Sequence, residues 1–239
     1  MAIVKIKSIE DINLPKEPKI KGANGEIYQY TSSLYFKKLS DERSDLTSSF
    51  NVERLKILAK IMKLKDTKCL ILPQDIYITS DTFLGYTTLI STAPTIRNLS
   101  LDTKYNDLIK AFRQVSADIK VLAKNHIFHY DTTQDNILFD GEIHLLDFDD
   151  CFLDNYKSYE RMMYNIFLSL YAGVVKDGYG SKVLMENDLE KLLEKFAKYQ
   201  SVDYELYFKL LQKKLEYDTC KKIKTVGDLR KSLSRTKKG

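Results

Sequence analysis

The stretch HIFHYDTTQDNILFDGEIHLLDFDDC, residues 126–151, constrains this chain more than any other. Two short apolar runs, 137–139 and 143–146, flank Asp140-Gly141, and an Asp-Gly pair in that setting predicts a tight two-residue hairpin turn. A hairpin folds its outer ends together, so Asn136 and Asp147 are expected at one end, within a residue or two of register. Asp131, five residues before Asn136, is close enough to face the same point. An amide oxygen and a carboxylate at one strand-pair end suit a hard divalent cation, Mg²⁺ in particular where phosphate completes its shell. A further carboxylate beside that cation, Asp131, is placed to accept a proton from a hydroxyl nucleophile.

The remaining sequence divides in two. All four prolines (Pro15, Pro18, Pro73, Pro94) lie in the first 94 residues, and the periodicity changes near that point. Residues 1–91 read as short strands with one helix between them, and 92–239 read mostly as helix, joined by a connection near 90–94. In the first part, 26–30 and 34–39 form an expected hairpin, and 76–79 with 83–90 a second. Phe50, Ile57, Ile61 and Leu64 recur at helical spacing and predict a helix over 48–64. In the second part, Leu108, Phe112, Val115, Ile119 and Leu122 mark a strongly amphipathic helix. Later helices are expected at 157–172, 188–199 and 204–217. An apolar fraction of 44%, with 16 Tyr and 11 Phe, supplies an ample core and excludes global disorder.

His129-Tyr130-Asp131 with Asn136 resembles the H-R-D-x-x-x-x-N catalytic loop of protein kinases and the related H-G-D loop of aminoglycoside phosphotransferases. Asp147-Phe148-Asp149 stands where those families carry D-F-G or a D-F-acid variant. The resemblance implies a bilobal protein-kinase-like α+β fold, with a small β-rich N-lobe (1–91) and a mainly helical C-lobe (92–239). It also implies roles: Asp131 the catalytic base, Asn136 and Asp147 the Mg²⁺ ligands, His129 a residue that orients the loop. Upstream, Ile20-Lys21-Gly22-Ala23-Asn24-Gly25-Glu26-Ile27 is similar to the glycine-rich loop, with Ile20 in place of the first glycine. Gly22, Asn24, Gly25 and Ile27 would then bind ATP, with Gly22 and Gly25 letting backbone N–H groups approach the phosphates, and Leu89 and Ser91 would lie against adenine. Leu34-Tyr35-Phe36-Lys37 fills the slot of the phosphate-binding lysine, with Lys38 as the alternative. Glu53 is the expected partner of Lys37: it lies four residues before Ile57 and eight before Ile61, and a carboxylate on a core-facing stripe needs a cation.

The implied activity is ATP- and Mg²⁺-dependent transfer of a γ-phosphoryl group to a hydroxyl of a small molecule or of a protein Ser/Thr. A nucleotide-binding pseudokinase is the second reading, and a metal-dependent hydrolase built on His129, Asp131, Asp147 and Asp149 the third. Asp149 in the D-F-G slot, and a helical pattern beginning soon after it, leave a short activation segment and little platform for an extended peptide. The longest apolar run, 164–175, is too short to span a bilayer, and no signal peptide is read at the N-terminus. The three dispersed cysteines form no C-x-x-C, so a reduced, cytoplasmic setting is expected. The net charge of +5 belongs to the tail: from Lys221 onward, eight basic residues face one acid, which leaves the first 220 residues at −2. A nucleic-acid partner therefore rests on the tail alone and is not expected. The tail itself reads as a short amphipathic piece ending in a solvated, frayed terminus.

Overall fold

Short β-rich runs in the first 90 residues build a mixed six-stranded sheet in the computed structural model, which describes residues 2–175 and 203–235. The strands are β1 (Ile3–Lys5), β2 (Ile20–Gly22), β3 (Gly25–Gln29), β4 (Leu34–Leu39), β5 (Pro73–Ile78) and β6 (Phe83–Leu89), in the order β1-β5-β6-β4-β3-β2. Only β1 runs parallel to its neighbour. Both expected hairpins, β3–β4 and β5–β6, are present. Helices α1 (Asp41–Ser44) and α2 (Ser49–Ile61) follow β4. The chain is α+β and forms two compact units. The first comprises Met1–Asp66, Ile71–Thr92 and Asp147–Leu153; the second comprises Thr67–Leu70, Ala93–Leu146 and Asp154–Gly239.

In the first unit, Ile12, Phe36 and Tyr77 form a small core under the sheet, with the Phe36 and Tyr77 rings edge to face at 5.4 Å. The later segment 147–153 adds a single 3₁₀ turn, Phe148–Asp150, and a short strand, Cys151–Leu153, that packs on α2. Cys151 is buried, and burial pushes its thiol well above the ordinary range, as suits a small apolar residue rather than a nucleophile.

The second unit is built on α3 (Tyr105–Lys124), whose Leu108, Phe112, Val115, Ile119 and Leu122 are all buried. Strand β7 (Ile127–His129) follows, then the hairpin of β8 (Ile137–Phe139) and β9 (Ile143–Leu145). Phe139 pairs with Ile143, so the connection is the three residues Asp140, Gly141 and Glu142 rather than a two-residue turn. Asp140 closes it by accepting from Glu142 N and from the His144 ring, so the loop satisfies itself with one residue more than Asp-Gly alone supplies. Helices α4 (Ser158–Val175), α5 (Tyr204–Thr219) and α6 (Val226–Arg235) complete the unit. Aromatic rings of α3, α4 and α5 interlock, with Phe167 4.9 Å from Tyr207 and Phe112 5.5 Å from Phe208. The expected helix at 188–199 lies outside the described residues. Among the described residues, no helix is long and apolar enough to cross a membrane.

The basic tail contains the expected amphipathic piece, as helix α6. Ile223, Val226, Leu229 and Leu233 are buried, and Arg230 donates to the Gly173 and Val174 carbonyls at the end of α4. The apolar spacing of 223–233 makes α6 the expected amphipathic piece and part of the core, and the last four residues, 236–239, lie outside the described residues. Leu229→Ala should lower the unfolding free energy by about 2–5 kcal/mol in urea melts, whereas Lys231→Ala, exposed on the same helix, should stay within about 0.5 kcal/mol.

Candidate active site

The central strand β4 sets the position of Lys37. It pairs with Ile27 on β3 and with Tyr86 on β6, and directly paired residues share a face. The ammonium of Lys37, only 7% exposed, and the Tyr86 hydroxyl therefore emerge side by side. Lys37 Nζ donates to Asp147 Oδ1 and, at 2.8 Å, to Asp149 Oδ1. Tyr86 donates to the same carboxylates at 3.1 and 3.4 Å. Lys38 takes the opposite direction: its half-exposed ammonium lies 4.0 Å from Glu26. Two glycines permit this packing. A Cβ on Gly25 would sit 2.1 Å from the Lys38 carbonyl, and one on Gly85 2.0 Å from the Lys37 carbonyl, both at φ near +150°.

Asp147 enters the 3₁₀ turn through left-handed backbone, φ 66° and ψ 69°, a conformation aspartate tolerates better than most residues. The turn drives Asp149 inward until its carboxylate has no exposure. Arg43 Nη1 holds the second carboxylate oxygen at 2.9 Å, and Arg54 Nε donates to the Asp149 carbonyl at 2.9 Å. Arg43 also pairs with Asp150, whose carboxylate accepts from Asn24 Nδ2 at 3.3 Å. Burial, then the hydrogen bond and negative charge of Asp149, push the Asp147 carboxyl up to about 7. Burial acts on Asp149 in the same direction, but the Asp147 hydrogen bond, Lys37 and Arg43 outweigh it and hold that carboxyl well below the usual range.

Glu53 does not pair with Lys37. Its side chain is 48% exposed and lies 3.9 Å from Lys56. The buried face of α2 is instead Asn51, Arg54, Ile57, Leu58 and Ile61. Each step of four residues drifts about 40° around a helix, so two steps back from Ile61 carry Glu53 off the stripe. Phe50 is likewise exposed, 4.8 Å from the Arg54 guanidinium. Asn51 accepts from Arg54 at 2.7 Å and donates to the Glu42 and Asp45 carbonyls, which locks the arginine in place.

The second unit holds the loop 129–136 from several sides. His129 is buried, and its Nε2 lies 3.1 Å from the Leu146 carbonyl. Ser169 of α4 donates to the Thr132 carbonyl at 2.5 Å. Asn136 Nδ2 donates to the carbonyl (3.0 Å) and to Oδ2 (2.8 Å) of Asp131. Leu146 N donates to the Asn136 carbonyl at 3.1 Å, so Asn136 and Leu146 face each other at the hairpin's open end. Asp147 is the next residue in the chain.

Among the remaining expected contacts, Gly22 and Gly25 flank a two-residue turn, Ala23-Asn24, between β2 and β3. Ile27 is half-buried in β3, Leu89 is exposed at the end of β6, and Ser91 follows in the connection. Arg43, Arg54, Tyr86 and Gly85 form part of the cluster without having been singled out, and Asp149 was singled out for its motif but not as a partner of Lys37. Asn136 turns its NH₂ to Asp131 and so presents its amide oxygen, and Asp147 carries carboxylate oxygens; each by itself is a hard donor of the kind Mg²⁺ takes. His129 Nε2 faces the Leu146 carbonyl, and Asp149 is held by Lys37 and Arg43. No protein-family model matches the chain, and no curated protein matches it.

Gly85→Ala should cost about 1–3 kcal/mol and lower Tm by several degrees in calorimetry; an unchanged melt would mean β4 and β6 do not approach this closely. Carbon-13 NMR of the aspartate carboxyls in the metal-free protein should show Asp147 titrating near 7, with Asp149 ionised below 3.8. The raised group contributes stability at low pH that is lost as pH rises through about 7. The depressed group contributes stability above its unfolded value that is lost on acidification below it. Asp149→Asn should bring the Asp147 midpoint down, because it removes a negative neighbour.

Proposed function

We propose that this chain is an ATP- and Mg²⁺-dependent phosphotransferase of protein-kinase-like fold, moving a γ-phosphoryl group to the hydroxyl of a small molecule or of a protein Ser/Thr. The observation that carries this reading is the Lys37–Asp147 ion pair, which ties a strand lysine to an aspartate 110 residues later. In kinases those two motifs address the phosphates and the metal of one nucleotide. In this reading the first unit is the nucleotide-holding lobe, with the β2–β3 turn at the phosphates, Lys37 as their cation and Leu89–Ser91 at adenine. The second unit supplies the loop, in which Asp131 accepts the proton of the acceptor hydroxyl and Asn136 keeps that carboxylate in place. Mg²⁺, when bound, would neutralise charge on the phosphates, and Asn136 and Asp147 are the protein ligands that the kinase resemblance implies. The remaining rate comes from positioning. Helix α4 begins eleven residues after Asp147, a short segment that favours a small molecule or a folded protein over a linear peptide.

Mg²⁺-ATP should raise the melting temperature of the wild type and of Asp131→Asn alike, while Asp131→Asn lowers ATP turnover by about 10²–10⁴-fold. No thermal shift with ATP or its analogues would overturn the nucleotide reading. A shift without turnover across a broad acceptor screen would make the chain a nucleotide-binding scaffold instead.

A further inference from the structure

We infer that Asp149 is the positioning residue for Lys37, so that the lysine is set by the D-F-D turn and requires no movement of α2. The inference rests on the phosphotransferase reading above for what Lys37 binds, and on geometry for what holds it.

Lys37 has two carboxylate partners with different freedom. Asp147 keeps part of its carboxyl exposed, 23% against none for Asp149, and is the one that a metal would claim. Asp149 is closed off from any such role. Its Oδ2 is taken by Arg43 and its carbonyl by Arg54, which leaves Oδ1 aimed at Lys37. Three cations from three separate stretches, residues 37, 43 and 54, thus converge on one residue. A carboxylate held this way orients the ammonium without reaching outward itself.

Glu53 cannot take over this task by a modest adjustment. It stands one residue, about 100° of helix, before Arg54. Turning it inward would pull Arg54 off the Asp149 carbonyl and rotate Ile57 and Leu58, exposed 4% and 0%, out of the core. The arrangement therefore has one assembled state, and a helix rotation that makes or breaks the lysine's ion pair has no counterpart in it.

The test compares Glu53→Gln, Asp149→Asn, Lys37→Met and the double variant Lys37→Met/Asp149→Asn. Glu53→Gln should leave kcat and the KM for ATP within about twofold. Asp149→Asn should lower kcat/KM for ATP at least tenfold, and the double variant should be no worse than Lys37→Met alone, because Asp149 acts through the lysine. Additive losses in the double variant, or a large loss in Glu53→Gln, would overturn the assignment. A second readout needs no nucleotide. Labelling of Lys37 by an amine-reactive reagent should speed up several-fold in Asp149→Asn and stay unchanged in Glu53→Gln; the reverse result overturns the assignment. Should Asp149→Asn melt before it can be assayed, the double variant, which removes both charges, should regain melting temperature, and failure to regain it counts against the pairing. If labelling follows Asp149 while no variant binds Mg²⁺-ATP, the phosphotransferase reading is what fails, and Asp149 stands as the anchor of Lys37.

Discussion

A buried lysine imposes the strictest requirement on the first unit. An ammonium with 7% exposure in the middle strand region of a sheet loses nearly all of its hydration, and an unpaired charge in that position costs several kcal/mol. The chain meets the cost by bringing back a segment more than a hundred residues later, whose two aspartates face Lys37 from one turn. Those aspartates then need cations of their own, and Arg43 and Arg54 supply them from the stretch just after β4. Each group in the cluster would be costly alone. Together they hold β4, α2 and the 147–150 turn in one arrangement, and Gly25 and Gly85 are small because β4 carbonyls press against them.

The second unit solves a different problem, the rigidity of a polar loop. Residues 129–136 carry few apolar side chains, so packing alone could not define them. Hydrogen bonds do so instead: the His129 ring to a β9-flanking carbonyl, Ser169 to Thr132, and the Asn136 amide to Asp131. Arg97 adds a bidentate pair with Asp135 at 2.7 Å, though both side chains are more than half exposed and such a pair contributes little by itself. What results is a carboxylate of fixed direction next to an amide of fixed orientation.

Much of this was legible beforehand, for identifiable reasons. Period-two runs located β3 to β6, and the clean apolar stripe of 108–122 located α3, because in those elements burial follows hydrophobicity. The same logic failed at α2. Its buried face begins with Asn51 and Arg54 because it covers an acidic turn rather than oil, so an apolar-stripe argument selected Glu53 and Phe50, which are exposed. Asp149 was recognised as unusual in its motif, yet Asp149-Asp150 by itself resembles a solvated turn. In the tail, the eight basic residues accompany four buried apolar side chains, so the amphipathic piece legible there belongs to the core, which its charge alone did not reveal.

The order of chemistry-bearing residues was thus determined by the sequence itself: a glycine turn, a strand lysine, H-x-D-x-x-x-x-N and D-F-D, each placed on the kind of element its local pattern predicts. Which of Lys37 and Lys38 turns to the aspartates, and which carboxylate answers it, was decided only by tertiary structure. The physical reason is that strand parity and helix phase are local, whereas the pairing of a buried charge depends on distant groups whose own partners are settled at the same time. Only when β3, β4 and β6 are in register, with Arg54 seated beneath the turn, does Asp149 become the residue that Lys37 meets.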